Sequence, residues 1–176
     1  ENTGMDMTPI MNVFNEWHAA NTSKKIRAVI EANAREGIYR SNQAPYGYIK
    51  GDDDKRLPIV DSEAAAYVRR MFEMRASGVA QIYNNEGILP PGDYKEQKLG
   101  IPNTRKSHHL WSGATVKQVL TNPIYLGHMV QLKTTNVSYK NKKQIRRPES
   151  EQILVKNTHA PLISQELWDI VREVRR

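Results

Sequence analysis

The stretch Trp111-Ser112-Gly113-Ala114-Thr115-Val116-Lys117-Gln118-Val119-Leu120-Thr121-Asn122-Pro123-Ile124-Tyr125-Leu126-Gly127 decides how the rest of the chain is read. Ser112 is placed to cap a helix, because its hydroxyl can accept an orphan amide of the first turn. Asn122-Pro123 stops that helix, since the proline ring disfavours a helical residue before it. The spacing predicts a short helix over 112–121 that leads into an apolar strand over 125–133. Val116, Val119 and Leu120 fall at i, i+3 and i+4 and would hold the helix against a core. Thr115, Lys117, Gln118 and Thr121 remain on the solvent side, donors and acceptors of the size that reaches base edges.

Upstream, Thr8-Pro9 reads as an N-cap followed by proline at the first helical position, and nothing breaks the pattern until Gly37. A helix over 9–36 would be about 42 Å long. Its first half places Ile10, Phe14 and Trp17 on one stripe to be buried against a partner. In its second half Lys24, Arg27 and Arg35 fall opposite Ile26, Val29 and Ile30. The segment from Gly37 to Tyr48 is poor in aliphatic residues, pinned by Pro45 and Gly47, and carries Tyr39, Arg40, Asn42, Gln43 and Tyr46. An extended arm of this kind suits a narrow groove; Pro45-Tyr46-Gly47-Tyr48 reads equally well as a packed turn.

Further on, 48–50 and 57–60 predict a hairpin around a polar turn at Gly51-Asp52-Asp53-Asp54. The three aspartates lack the spacing and the closing Glu of a calcium loop. Asp61 is the cap of a helix carrying Val68, Met71, Phe72 and Arg75, ended by Ser77-Gly78, and Val79 to Asn85 forms a second short helix stopped at Gly87. Helix, glycine turn and helix hint at a helix-turn-helix. Residues 89–107 read as an irregular loop, and strands 125–133 and 152–156 as a pair with 134–150 as a mobile excursion between them. Ser164 caps a last helix with Leu167, Ile170, Val171 and Val174 on its buried stripe, ending in Arg172, Arg175 and Arg176. The fold class expected is mainly α with a small β component (α+β).

The 176 residues suffice for one domain, or a domain plus an extension, and only two Phe are present, so a modest core of Ile, Leu, Val, Met and Tyr is expected. Lys and Arg total 26 against 19 Asp and Glu, a net charge of +7. The excess is clustered: residues 23–50 hold Lys24, Lys25, Arg27, Arg35, Arg40 and Lys50. Residues 133–147 hold Lys133, Lys140, Lys142, Lys143, Arg146 and Arg147 with no acid. Clusters of this kind form a track for an anionic partner, most often nucleic acid. There is no Cys, which excludes disulfides and thiolate-bound metals from these residues. No apolar run reaches membrane-spanning length and no signal peptide opens the sequence, so a cytoplasmic protein is expected.

Signs of catalysis are sparse. His108-His109 is the only adjacent histidine pair; neighbours on a helix or strand cannot both face one metal, and ligand-spaced carboxylates are missing around it. Phosphate contact suits it better, as it does the nearby Arg105 and Lys106. There is no glycine-flanked nucleophile elbow and no phosphate-binding glycine loop. A metal-dependent nuclease built on His108, His109 and Asp52–Asp54 is disfavoured. So is an RNA-binding protein, since no paired aromatics sit on a strand platform.

Several ordered segments resemble one family. Asn15-Glu16-Trp17 with Ser23-Lys24-Lys25-Ile26-Arg27 is similar to the end of the long helix that closes the catalytic domain of serine recombinases. Ala44 to Tyr48, Val68 to Phe72, Asn84 to Ile88, Trp111 with Val116 to Gly127, and Asn157 to Ser164 resemble the recombinase domain of the large serine recombinases, the phage integrases and transposon-borne resolvase/invertase relatives. The resemblance runs through nearly the whole chain. Relatives carry roughly five more residues between the equivalents of Gly78 and Val79, a departure within the first helix-turn-helix.

The resemblance implies a site-specific recombinase that breaks and rejoins two duplexes through a phosphoserine link. These residues would then comprise the closing helix of the catalytic domain (1–37), a DNA-tracking linker (38–48) and a helix-turn-helix-like DNA-binding domain with a small antiparallel sheet (49–176). The catalytic serine would lie elsewhere, so the fragment would bind DNA without cutting it. No cofactor is expected in these residues, zinc belonging to a downstream domain. The partners implied are double-stranded DNA at an attachment or transposon-end site and a second copy through the first helix, giving a dimer or tetramer of the parent. Ser23 to Arg27 match the point where the long helix crosses the minor groove, and the linker matches the segment that continues along the DNA. The DNA-binding set expected is Lys24, Lys25, Arg27, Arg35, Tyr39, Arg40, Asn42, Gln43, Tyr46, Arg105, Lys106, His108, Thr115, Lys117, Gln118 and Thr121. A free-standing DNA- or RNA-binding regulator is the alternative.

Overall fold

In the computed structural model the described residues are 7–41, 43–51, 57–74, 78–103 and 109–174. Asn42, Asp52–Asp54, Arg75, Ser77, Arg105, Lys106, His108, Arg175 and Arg176 lie outside them. The elements run α1 (Thr8–Arg35), β1 (Tyr48–Lys50), β2 (Pro58–Val60), α2 (Ser62–Met74), α3 (Val79–Asn85), α4 (Pro91–Leu99), α5 (Gly113–Leu120), β3 (Met129–Gln131), β4 (Thr134–Asn136), β5 (Gln144–Arg146), β6 (Ile153–Val155) and α6 (Gln165–Val174). The fold is α+β, mainly helical with two-stranded sheets. The chain divides into two units, Glu1–Ile38 with Val130–Val155, and Tyr39–Met129 with Lys156–Arg176.

In the first unit α1 runs unbroken for 28 residues. Its cap position is Met7 rather than Thr8, with no side-chain cap bond. Ile10, Phe14 and Trp17 are 57%, 57% and 60% exposed in the single chain. Ile26 and Val29 are exposed as well. β6 packs on α1 and pairs with β3. The segment read as a mobile excursion is an antiparallel ribbon, β4 on β5, with Thr134 opposite Arg146, Thr135 opposite Ile145 and Asn136 opposite Gln144. The tip is knit by Val137 N donating to Lys143 O at 3.0 Å and by the amides of Asn141 and Lys143 donating to Ser138 Oγ and Asn141 Oδ1, each at 2.9 Å. Polar turn residues that satisfy the backbone locally make a ribbon where apolar periodicity gives no sign of one.

The second unit is built on aromatic rings. Tyr48, Tyr83, Tyr125 and Phe72 are fully buried beside Tyr46, Trp111 and Trp168. Each buried phenol finds an acceptor: Tyr48 donates to Ala160 O at 2.9 Å, Tyr125 to Tyr46 O at 2.9 Å and Tyr83 to Tyr67 O at 2.6 Å. An unpaired buried hydroxyl would cost about 1–3 kcal/mol, so these bonds let Tyr do the work of Phe. Burial raises the phenol pKa of Tyr83 to about 12 and holds those of Tyr46, Tyr48 and Tyr125 higher still, so all stay neutral. β1 and β2 form the expected hairpin, Tyr48 opposite Val60. Asp61 Oδ1 accepts from Glu63 N at 3.1 Å and Ala64 N at 3.3 Å, capping α2 as read. Ser164 Oγ accepts from Leu167 N at 3.2 Å at the start of α6. The buried side of α6 is Trp168 and Val171 with Leu167 partly covered, whereas Ile170 and Val174 are exposed.

Two sequence readings fail here for identifiable reasons. Residues 91–99, read as loop, form α4, with proline at its start and Gly100 at its end in the left-handed region, φ 63°. Proline at the first position and glycine past the last is a helix signature that the low apolar content masked. The strand expected over 125–133 is a 3₁₀ turn at Pro123–Leu126, then Gly127 at φ 78°, then only three strand residues. Asn122 Oδ1 accepts from Ile124 N at 3.3 Å, so the Asn-Pro pair starts a new turn as well as stopping α5. A Cβ on Gly127 would lie 2.6 Å from His159 O.

Candidate nucleic-acid interface

In the second unit, α5 is clamped before it begins. Trp111 N donates to Asn84 Oδ1 at 2.7 Å, Asn84 Nδ2 donates to Trp111 O at 3.0 Å, and Trp111 Nε1 donates to Ile88 O at 2.9 Å. The Trp111 ring meets Tyr46 and Tyr83 edge-on at centroid distances of 5.3 and 5.5 Å. Ser112 Oγ accepts from Thr115 N at 3.1 Å, the cap expected. Val116, Val119 and Leu120 are buried as read. Every inward contact fixes the rotation of the helix, and with it the direction of the outward side chains.

The outward residues fall into two groups. Thr115 and Gln118, with Asn122 beyond them, line a cleft of about 330 Å³. Lys117 and Thr121 are exposed on another stripe, where Thr121 Oγ1 donates to Lys117 O at 2.8 Å. A step of two residues turns a helix by about 200°, which separates Lys117 from Thr115 although both are polar. The Thr115 hydroxyl is 2.9 Å from that of Ser112, leaving Gln118 the longest polar arm of α5 in the cleft.

The opposite wall comes from the linker and α4. Gln43, Pro45, Lys95 and Asn103 border the same cleft. Lys95 Nζ donates to Gln43 Oε1 at 3.3 Å, and burial lowers the pKa of this ammonium. Asp93 is buried, accepting from Asn103 Nδ2 at 3.0 Å, with His109 Nδ1 3.0 Å from its other oxygen. Tyr39 donates to Gln43 O at 2.6 Å, shaping the linker, while Arg40 is exposed. Tyr46 also borders the cleft but is 4% exposed, packed between Tyr94 and Trp111, with its hydroxyl donating to Leu89 O at 3.4 Å. Lys95 and Asn103 were missed because the segment holding them read as loop.

In the first unit Lys24, Lys25 and Arg27 are exposed on α1, and Arg35 pairs with Glu31 at 2.7 Å one turn away. Asn42, Arg105, Lys106 and His108 fall outside the described residues. Among the described residues no three His, Asp or Glu gather as a metal site, and no helix is long and apolar enough to cross a membrane.

The capped, clamped α5 lies within residues that match the sequence profile of the family described as Recombinase, over 62–176. The chain belongs to this family, that of the large serine recombinases. It is 27% identical over 90 residues to the uncharacterized protein YefB of Bacillus subtilis (strain 168), covering 51% of this chain and 28% of that protein. A structure solved for the sequence requirements of the Listeria innocua prophage attP site is similar at 19% identity and a TM-score of 0.44, over 85% of this chain and 51% of that one. The chain thus spans about a quarter of the one relative and half of the other.

Proposed function

We propose that this chain is a sequence-specific duplex-DNA-binding part of a site-specific serine recombinase. The observation that carries the reading is the cleft of the second unit, where Gln43 of the linker, Lys95 of α4 and Thr115 and Gln118 of α5 converge. Amide and hydroxyl groups held on a rigid helix suit base edges, a bidentate glutamine–adenine pair being worth about 1–3 kcal/mol. The clustered cations supply affinity that falls with salt as phosphate counterions are released. Lys24, Lys25, Arg27 and Arg40 are positioners in this reading, and Gln118 is the reader.

The reading assigns no nucleophile to these 176 residues, so the chain binds duplex DNA without cleaving it. It assigns the exposed stripe of Ile10, Val13, Phe14 and Trp17 to pairing with the same stripe of a second copy, because an apolar ridge on a free helix is costly in water. Selection of binders from a randomised duplex pool, followed by titration of the winner against its scrambled version, tests the central statement. The expected result is one enriched motif bound at least tenfold more tightly than the scramble; equal binding to both removes the reading.

A further inference from the structure

The second basic cluster of the sequence lies over residues 133–147. In the structure it is the β4–β5 ribbon of the first unit. Residues opposite one another in an antiparallel ladder share a face, and alternate residues along a strand point the same way. Thr134, Asn136, Gln144 and Arg146 therefore lie on one face, and all four are exposed. The other face holds Thr135 and Ile145. A face of Thr, Asn, Gln and Arg carries the side chains that pair with bases, free of acid and of large apolar groups.

Cations flank this face. Lys133 is exposed, and desolvation followed by the neighbouring Arg146 guanidinium lowers its ammonium pKa. Arg147 adjoins it, its amide donating to Lys133 O at 2.9 Å and its buried Nε without a hydrogen-bond partner among the described residues. Three cations crowd one end of the ribbon without an acid between them, an arrangement that an anion relieves. At the other end Lys142 and Lys143 are exposed, and Lys140 pairs with Glu16 of α1, which ties the tip down.

We propose that the β4–β5 ribbon is a second DNA-reading element, which lays its Thr134–Asn136–Gln144–Arg146 face on the major groove while Lys133, Lys143 and Arg147 hold flanking phosphates. A two-stranded ribbon fits the width of that groove as a helix does. The inference rests on the reading of the chain as a duplex binder and adds an element to it. Phosphate contacts supply affinity for any duplex, and Asn136, Gln144 and Arg146 supply preference at base pairs other than those read by Gln118.

The test uses the whole chain and its selected duplex, with Arg146→Ala and the double variant Asn136→Ala, Gln144→Ala. All three sites are exposed, and a thermal midpoint within a degree or two of wild type confirms that each variant is folded. The expected result is about tenfold weaker binding for Arg146→Ala. For the double variant, repeated selection loses preference at one or more positions that Gln118→Ala leaves intact, while affinity for the scrambled duplex is unchanged. Selected motif and affinity both within twofold of wild type for both variants overturn the ribbon proposal while the chain remains a duplex binder. Failure of the wild-type chain to bind any duplex overturns both.

Discussion

Asn84 acts on α5 from outside the helix. Its amide holds both backbone groups of Trp111, and so fixes where α5 starts. Asn84→Ala leaves those groups short of partners, and a loss of about 1–3 kcal/mol in chemical denaturation is expected. Gly127 is constrained from two sides, by a positive φ and by the carbonyl of His159. Gly127→Ala should cost about 2–3 kcal/mol, read as a lower thermal midpoint. His159 gives a dependence on pH. Burial above all lowers its pKa, the Ile124 carbonyl works the other way, and His128 adds to the lowering. The folded chain then takes up this proton at lower pH than the unfolded chain. Stability from the neutral ring is complete above about pH 6.5 and is lost as the pH falls below that value. Between about pH 7.5 and about pH 5.5 the thermal midpoint of wild type should fall more steeply than that of His159→Gln.

At the scale of elements, α5 is the part most readable from sequence. Cap, apolar spacing and stop all lie within seventeen residues, and each is a local signal. Ser112→Ala should cost about 1 kcal/mol by equilibrium unfolding. What sequence could not divide was the outer side of that helix, since Thr115 and Lys117 are both polar and only packing shows which stripe meets the cleft. α4 hid behind a composition of Gly, Asp, Lys, Glu and Gln, although its proline start and glycine end were present. The ribbon hid for a similar reason: its register comes from turn bonds, and its strands are too short and polar to show periodicity. In α1 the apolar stripe is visible in the sequence, and no described segment of the first unit covers it. A second copy is the occupant proposed above, so Phe14→Asp with Trp17→Ser should shift the chain toward monomer in sedimentation velocity.

For the whole molecule, the net charge of +7 was the first pointer to a polyanion, and its division into clusters was the more useful one. One cluster lies on α1 and the linker, the other on the ribbon. Phosphate contacts and base-edge contacts have different signatures. Lys24→Ala should weaken every duplex alike and flatten the dependence of log affinity on log salt by about one. Single-stranded RNA should bind more weakly than duplex DNA, since no strand among the described residues carries an exposed aromatic ring for unpaired bases.

In the function proposed above, the cleft between the linker, α4 and α5 reads sequence through Gln118. The most direct measurement is the affinity of wild type and Gln118→Ala for the selected duplex and for each single base-pair change in it. The account predicts that wild type loses about tenfold or more at the positions it reads. Gln118→Ala should become indifferent at one or two of those positions and keep its preference at the others. Identical specificity profiles for the two proteins, or a uniform loss across every duplex, would contradict it.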